Sequence, residues 1–262
     1  AGIARDLASK SDVFIENFRV GAAAKMGLGY EELKKTNPRI VYCSISGYGQ
    51  TGPYREVPGY DFIIQAMSGL MSITGESGGE PMKLGVATVD LTTGLYAAVA
   101  ILAALRERDR SGLGQRIDLS LMDSAISWLA NVGSNYLVSG EVCGRYGNAH
   151  ANIVPYQVFP AKDRHIAVGI GNDGQWRKFC EIADVRDLAS DGRFATNPDR
   201  VKNRGELIPL LEKIFLRRDS SFWIESLWRE RIPPFPIVFR YRIGYHTHVF
   251  FYWSLTGQGG LS

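Results

Sequence analysis

Cysteine is scarce: Cys43, Cys143 and Cys180 are the only three in 262 residues. Three widely spaced thiols leave one over in any pairing and include no CxxC, which excludes a disulfide framework and a zinc ribbon and points to a reducing compartment. Long apolar runs are lacking too. The longest, residues 95–105, stops short of the roughly 18 uninterrupted apolar residues that a bilayer-spanning helix needs, so no membrane span is expected. The histidines are His150, His165, His246 and His248; His246-Thr247-His248 has no third ligand nearby, so no metal site is expected. No serine stands in GxSxG and no cysteine has an evident histidine partner. GxGxxG opening a helix and GxxxxGK[ST] are also missing, which removes the common hydrolase, nicotinamide and nucleoside triphosphate signatures. The charge surplus is small, 30 basic against 27 acidic residues or +3, and dispersed, so no nucleic-acid partner is expected. Two of those charges are Arg240 and Arg242, in an aromatic stretch over 238–262 that has no acidic residue and no clear period.

What is present reads as a soluble globular chain, 45% hydrophobic and 22% charged. Ile3, Leu7 and Ala8 have helical spacing and lead into Val13-Phe14-Ile15, a short apolar run suited to a buried parallel strand. Such a helix is the second half of a βαβ unit, so a first strand is expected before Ala1 and the fold to be N-terminally incomplete. The alternation continues with a helix over 30–35 that ends before Pro38, a strand over 40–45 closed by Gly47, and a turn-rich loop over 47–54. A helical stretch over 62–70 and a flexible connection over 75–81 follow. Next come a long apolar helix over 91–108, a strand over 117–121 and a helix over 122–137. Residues 156–159 and 166–168 predict a hairpin turning at Lys162-Asp163-Arg164. Helical segments over 175–215 have breaks at Asp191-Gly192 and Asn197-Pro198, and an amphipathic turn over 222–231 follows. There is no internal repeat. These patterns divide the chain into a large α/β domain over 1–144, a smaller domain over 145–237 and the aromatic tail over 238–262.

Asp90 is the most informative residue. It stands between the apolar approach Val86-Ala87-Thr88-Val89 and the first turn of the long helix, where an aspartate reads as an N-cap. A carboxylate there is expected to stay ionised, favoured by the helix dipole and free N–H groups, and so to be poised as a nucleophile. Asn17-Phe18-Arg19 follows the first strand directly, at the carboxyl end where open α/β sheets bind ligands, with Arg19 and Lys25 near for phosphates.

Several segments closely resemble the class III CoA-transferase (CaiB/BaiF) family. They are Glu16-Asn17-Phe18-Arg19-Val20-Gly21, Met26-Gly27-Leu28-Gly29-Tyr30, residues 37–54, Gly59-Tyr60-Asp61, Ser68-Gly69-Leu70-Met71, residues 90–98 and residues 112–118. A weaker match continues through Val154-Pro155-Tyr156-Gln157 and residues 233–237. The resemblance implies a doubly wound parallel α/β sheet with a smaller α+β domain, in an interlocked homodimer. It also implies transfer of CoA from an acyl-CoA donor to a free carboxylic acid, with no permanently bound cofactor and CoA thioester as substrate. Asp90 falls on the family's catalytic aspartate, which forms a mixed anhydride and then an aspartyl-CoA thioester. A carboxyl of reference pKa about 3.9 needs no general base for this.

The resemblance places Asn17, Phe18 and the adjacent Arg19 on the nucleotide side of CoA, and Lys25 with Met26 at the adenosine and phosphate end. Val57, Pro58, Gly59 and Tyr60 form a further CoA-binding turn, with Pro58 where some members carry a lysine. The α-methylacyl-CoA racemases of the same family use a histidine where this chain has Tyr60. A tyrosine of reference pKa about 10 is a poor base at neutral pH, which favours the transferase. An N-terminally incomplete chain also leaves an inert CoA-binding fragment as an alternative. The expected compartment is the cytoplasm or the mitochondrial matrix.

Overall fold

The computed structural model describes residues 2–237, so the aromatic tail over 238–262, with His246 and His248, lies outside the described residues. The described residues divide into two compact units, one ending at Asn148 and one beginning at Ala149.

The first unit opens with α1 (Gly2–Ala8), followed by β1 (Val13–Glu16), the one-turn α2 (Ala22–Lys25), α3 (Tyr30–Thr36) and β2 (Val41–Ser46). Then come α4 (Asp61–Met67), α5 (Leu70–Ile73), α6 (Thr88–Ser111), β3 (Arg116–Ser120), α7 (Leu121–Ser127) and α8 (Ala130–Ser139). The three strands form a parallel sheet in the order β1-β2-β3, with Val13 opposite Val41 and Ser46 opposite Ser120. Residues 41–44 of β2 are all buried, as the central strand of a covered parallel sheet requires. Tyr42 belongs to a core with Ala8, Ala23, Leu33 and Ile40, whereas Ile45 packs against Ile64, Val89, Leu121 and Ala125. Because all three strands run the same way, the chain leaves them after Glu16, Ser46 and Ser120 along one edge.

Two expectations change here. The helix expected over 122–137 is two helices, α7 and α8, parted where Ala130 takes φ 43°. Asp90 is not the N-cap of the long helix; α6 begins two residues earlier and its N-cap is Ala87, so Asp90 sits inside the first turn. By length and mean hydropathy α6 could cross a bilayer, and a third of that apolar window is buried. A core helix passes the same test, and α6 packs on β2, β3, α4 and α7.

The second unit comprises β4 (Tyr156–Pro160), β5 (His165–Gly169), α9 (Asp173–Ile182), α10 (Arg186–Ser190), α11 (Asn197–Lys202), α12 (Arg204–Phe215), α13 (Ser220–Arg229) and β6 (Pro234–Pro236). Its antiparallel sheet has the order β4-β5-β6. β6 escapes a sequence reading because Pro233-Pro234 looks like a breaker, yet an edge strand tolerates proline. Asn197-Pro198 starts α11 instead of breaking a helix: Thr196 Oγ1 accepts from the Asp199 N–H, and proline suits the first turn. The core is aromatic, with Phe159, Trp176, Phe179, Phe215 and Trp223 all buried and in ring contact in series, the Phe159–Phe215 and Trp176–Phe179 pairs stacked and the others tilted.

Candidate active-site cleft

Along the carboxyl edge of the parallel sheet lies a cleft of about 810 Å³, a size usual for small-molecule sites. Its walls come from residues 17–20 after β1, 45–47 at the end of β2, 55–62 leading into α4, 83 and 85–87 before α6, Asp90, Thr93 and Gly94 on α6 itself, and Leu121 at the start of α7.

Each wall has a local reason for its shape. Glu16, buried at the end of β1, accepts the Phe18 N–H on Oε2 at 2.8 Å and so sets the turn that presents Asn17, Phe18 and Arg19. The turn carrying Val57, Pro58, Gly59 and Tyr60 is pressed against the end of β2 through two glycines. A Cβ on Gly59 would lie 2.4 Å from the Gly47 Cα, and one on Gly47 would lie 2.6 Å from the Gly59 Cα. Only glycine at both positions allows that approach. Tyr60 is 70% exposed and leaves its ring free at the rim.

Lys25 and Met26 are not brought into the cleft. α2 buries Ala23 and turns its last residues outward, so both side chains are exposed beside, and not among, the other predicted contacts.

Asp90 projects from the first turn of α6 into the cleft and is exposed. Its surroundings differ from the expectation that free helix N–H groups would favour its anion. The N–H groups of Val89 and Asp90 are both donated to Oδ2 of Asp61, at 2.7 and 3.3 Å, so the cap of α6 comes from α4. Burial, and then the Asp61 charge, push the Asp90 carboxyl upward from the usual carboxylate range. Asp61 Oδ1 accepts from Gln65 Nε2 at 2.5 Å, and Gln65 Oε1 accepts from the Leu84 N–H at 2.9 Å. Sequence reasoning used Asp61 only as a family marker and missed Gln65; their i, i+4 spacing was the available signal.

Cations and anions both line the cleft, Arg19, Arg55 and Lys83 together with Glu56, Asp61 and Asp90. The Arg55–Glu56 ion pair is exposed and 3.4 Å long, a contact of little energetic weight. No histidine or cysteine is among the described residues that line the cleft. Cys43 and Cys180 are buried, and burial pushes their thiols up to about 11 and about 12, so neither is a ready thiolate. Among the described residues no group of His, Cys, Asp and Glu has the makings of a metal site. What the cleft offers is an exposed carboxylate, Asp90, with the cationic Arg19, Arg55 and Lys83 on the same lining.

A model of CoA-transferase family III matches residues 1–243. The chain is 46% identical over 90% of its length to a succinate–glutarate CoA-transferase of Agrobacterium fabrum, and 44% identical over 90% to the human succinyl-CoA:glutarate CoA-transferase. It spans 59% and 54% of the lengths of these two relatives. Among solved structures it is similar to a CaiB/BaiF family protein from Brucella suis, with a TM-score of 0.76, 46% identity, and coverage of 90% of this chain and 63% of that one.

Proposed function

We propose that this chain, which belongs to CoA-transferase family III, carries the catalytic part of an enzyme that moves CoA between carboxylic acids, with Asp90 as the acyl-accepting nucleophile. The observation that carries this reading is the Asp90 carboxylate, exposed on the first turn of α6 in a cleft whose described lining residues include no histidine. The Asp90 oxygen attacks the donor thioester carbon, the C–S bond breaks, and CoA leaves as the thiolate. The thiolate then attacks the Asp90 carbonyl of the mixed anhydride, releasing the donor acid and leaving aspartyl-CoA. The acceptor carboxylate reverses both steps, taking the CoA and restoring Asp90. Backbone N–H groups serve the oxyanion.

CoA lies along the carboxyl edge of the sheet. Asn17, Phe18 and Arg19 hold its nucleotide side, and the turn Val57, Pro58, Gly59 and Tyr60 holds the arm leading to Asp90. These seven residues share one cleft. Lys25 and Met26 meet the phosphate end from outside it, in keeping with the exposed end of α2. The donor and acceptor are dicarboxylic, succinyl-CoA and glutarate, a reading supported by the names of the relatives. A racemase is disfavoured, since Tyr60 occupies the place of the proton-accepting histidine.

A doubly wound sheet is supported by the two cores, one holding Tyr42 and the other Ile45, positions on opposite faces of β2. The homodimer is supported by apolar side chains left in water on α6, such as Leu95 at 68% and Leu102 at 67% exposed. Incubation with succinyl-CoA followed by mass spectrometry tests the central claim. An adduct on Asp90, absent in Asp90→Asn, is expected; a folded chain that forms none with any acyl-CoA donor overturns it.

A further inference from the structure

The carboxylate of Asp61 is fully engaged, and all its partners belong to the frame of the cleft. Oδ2 takes two N–H groups of the α6 first turn, and Oδ1 takes the amide of Gln65. Gln65 has no exposed surface and spends its other end on the Leu84 N–H. One i, i+4 pair on α4 thereby ties down two segments that line the cleft, the approach over 83–87 and the turn that bears Asp90.

A helix N-terminus needs acceptors for its free N–H groups, and a local Ser, Thr, Asp or Asn usually supplies one. The N-cap of α6 is Ala87, which makes no side-chain cap bond. Asp61 supplies the acceptor from 29 residues away in the chain. A local cap stabilises a first turn wherever that turn happens to lie. A cap from a neighbouring helix also fixes its position, here relative to α4 and to the turn at Gly59 and Tyr60 that leads into α4.

The geometry points to Asp61 as a positioning residue for Asp90, with Gln65 as its strut: together they hold the first turn of α6 so that the Asp90 carboxylate is presented to the bound thioester. This rests on the reading of Asp90 as the nucleophile. An electrostatic consequence follows from the same contacts. Asp61 takes the N–H groups that would otherwise stabilise the Asp90 anion and adds a like charge beside it, which together with burial raises Asp90. A more basic ionised carboxylate is a stronger nucleophile, as is the case for thiolates.

The test compares Asp61→Asn and Asp61→Ala with the wild-type chain. The readouts are the carboxyl carbon-13 titration of Asp90 (assigned with Asp90→Asn), hydrogen exchange at the Val89 and Asp90 amides, and single-turnover labelling by succinyl-CoA. Arg19, Arg55, Glu56, Tyr60 and Lys83 line the same cleft and are unchanged in both variants, so a moved titration reports Asp61. Both variants should lower the Asp90 titration midpoint. Asp61→Ala should also lose amide protection and slow labelling roughly 10²-fold, the scale of a small misplacement of reacting groups. Asp61→Asn keeps an acceptor oxygen and should recover most of the protection without recovering the titration. An Asp90 titration and amide exchange that stay at wild-type values in both variants overturn the proposal, even if melting temperatures fall. A wild-type chain that forms no adduct on Asp90 removes the nucleophile reading instead, while titration and exchange still decide the positioning.

Discussion

The two units spend their apolar residues differently. In the second, Trp176, Phe179, Phe215 and Trp223 interlock in one continuous core, and Arg200 lies fully buried among them. Its guanidinium donates to the Val154 and Phe194 carbonyls at 2.7 and 3.0 Å and to Asp173 Oδ1 at 2.8 Å. In the first, the buried residues split into two smaller clusters. Large side chains stay exposed along α6, and α8 buries none of its residues. One unit is built to hold itself together. The other leaves a polar cleft open along the carboxyl edge of its sheet.

That contrast can be broken most sharply at Asp90. Asp90→Asn should abolish labelling by succinyl-CoA while leaving the melting temperature at neutral pH unchanged or raised. The sign follows from the raised carboxyl: stability from this group is complete below the ordinary aspartate pKa and is lost as pH rises through the higher folded value. Removing the charge therefore costs no stability at neutral pH. By the same shift, wild-type labelling should fall off on the acid side at a higher pH than an ordinary aspartate would give.

In the second unit the opposite outcome is expected. Trp223→Ala, at a residue that is buried and donates Nε1–H to the Phe215 carbonyl at 2.8 Å, should destabilise by about 3–5 kcal/mol. The measurement is chemical denaturation followed by the fluorescence of the remaining tryptophans.

Between these extremes stands the glycine contact. Gly59→Ala forces the turn away from Gly47 and should cost about 1–3 kcal/mol, with weaker CoA binding read by calorimetry, since it moves the cleft wall itself. The smallest effect belongs to Arg55→Gln, which removes an exposed ion pair and should change stability by less than about 1 kcal/mol. A thermal shift well beyond that would mean that the rim of the first unit is braced after all.

Much of the first unit was legible from its residues. The apolar runs at Val13-Phe14-Ile15 and over 40–45 are β1 and β2, and residues 117–121 overlap β3; only β2 is the buried strand that an unbroken apolar stretch implies, since Ile15 of β1 is exposed and β3 alternates. The hairpin over 156–168 was legible for the matching reason, an alternation interrupted by polar turn residues. β6 was not, since its pairing with β5 outweighs the poor strand propensity of its prolines. In the cleft, Asn17, Phe18, Arg19, Tyr60 and Asp90 were all singled out and are all found lining it, whereas Lys25 and Met26 follow the outward face of α2.

The chain's own residues determined the alternation of strands and helices, the family pattern and the placing of a lone carboxylate at the start of a long apolar helix. Those are properties of neighbours within one turn or one strand period, which sequence records directly. Only the tertiary structure decided that α6 is capped by Asp61 from another helix, that Gly47 and Gly59 meet, and that Asp90 is raised instead of lowered. Charges and hydrogen bonds act through space between groups that folding alone brings together, and no local periodicity encodes those distances.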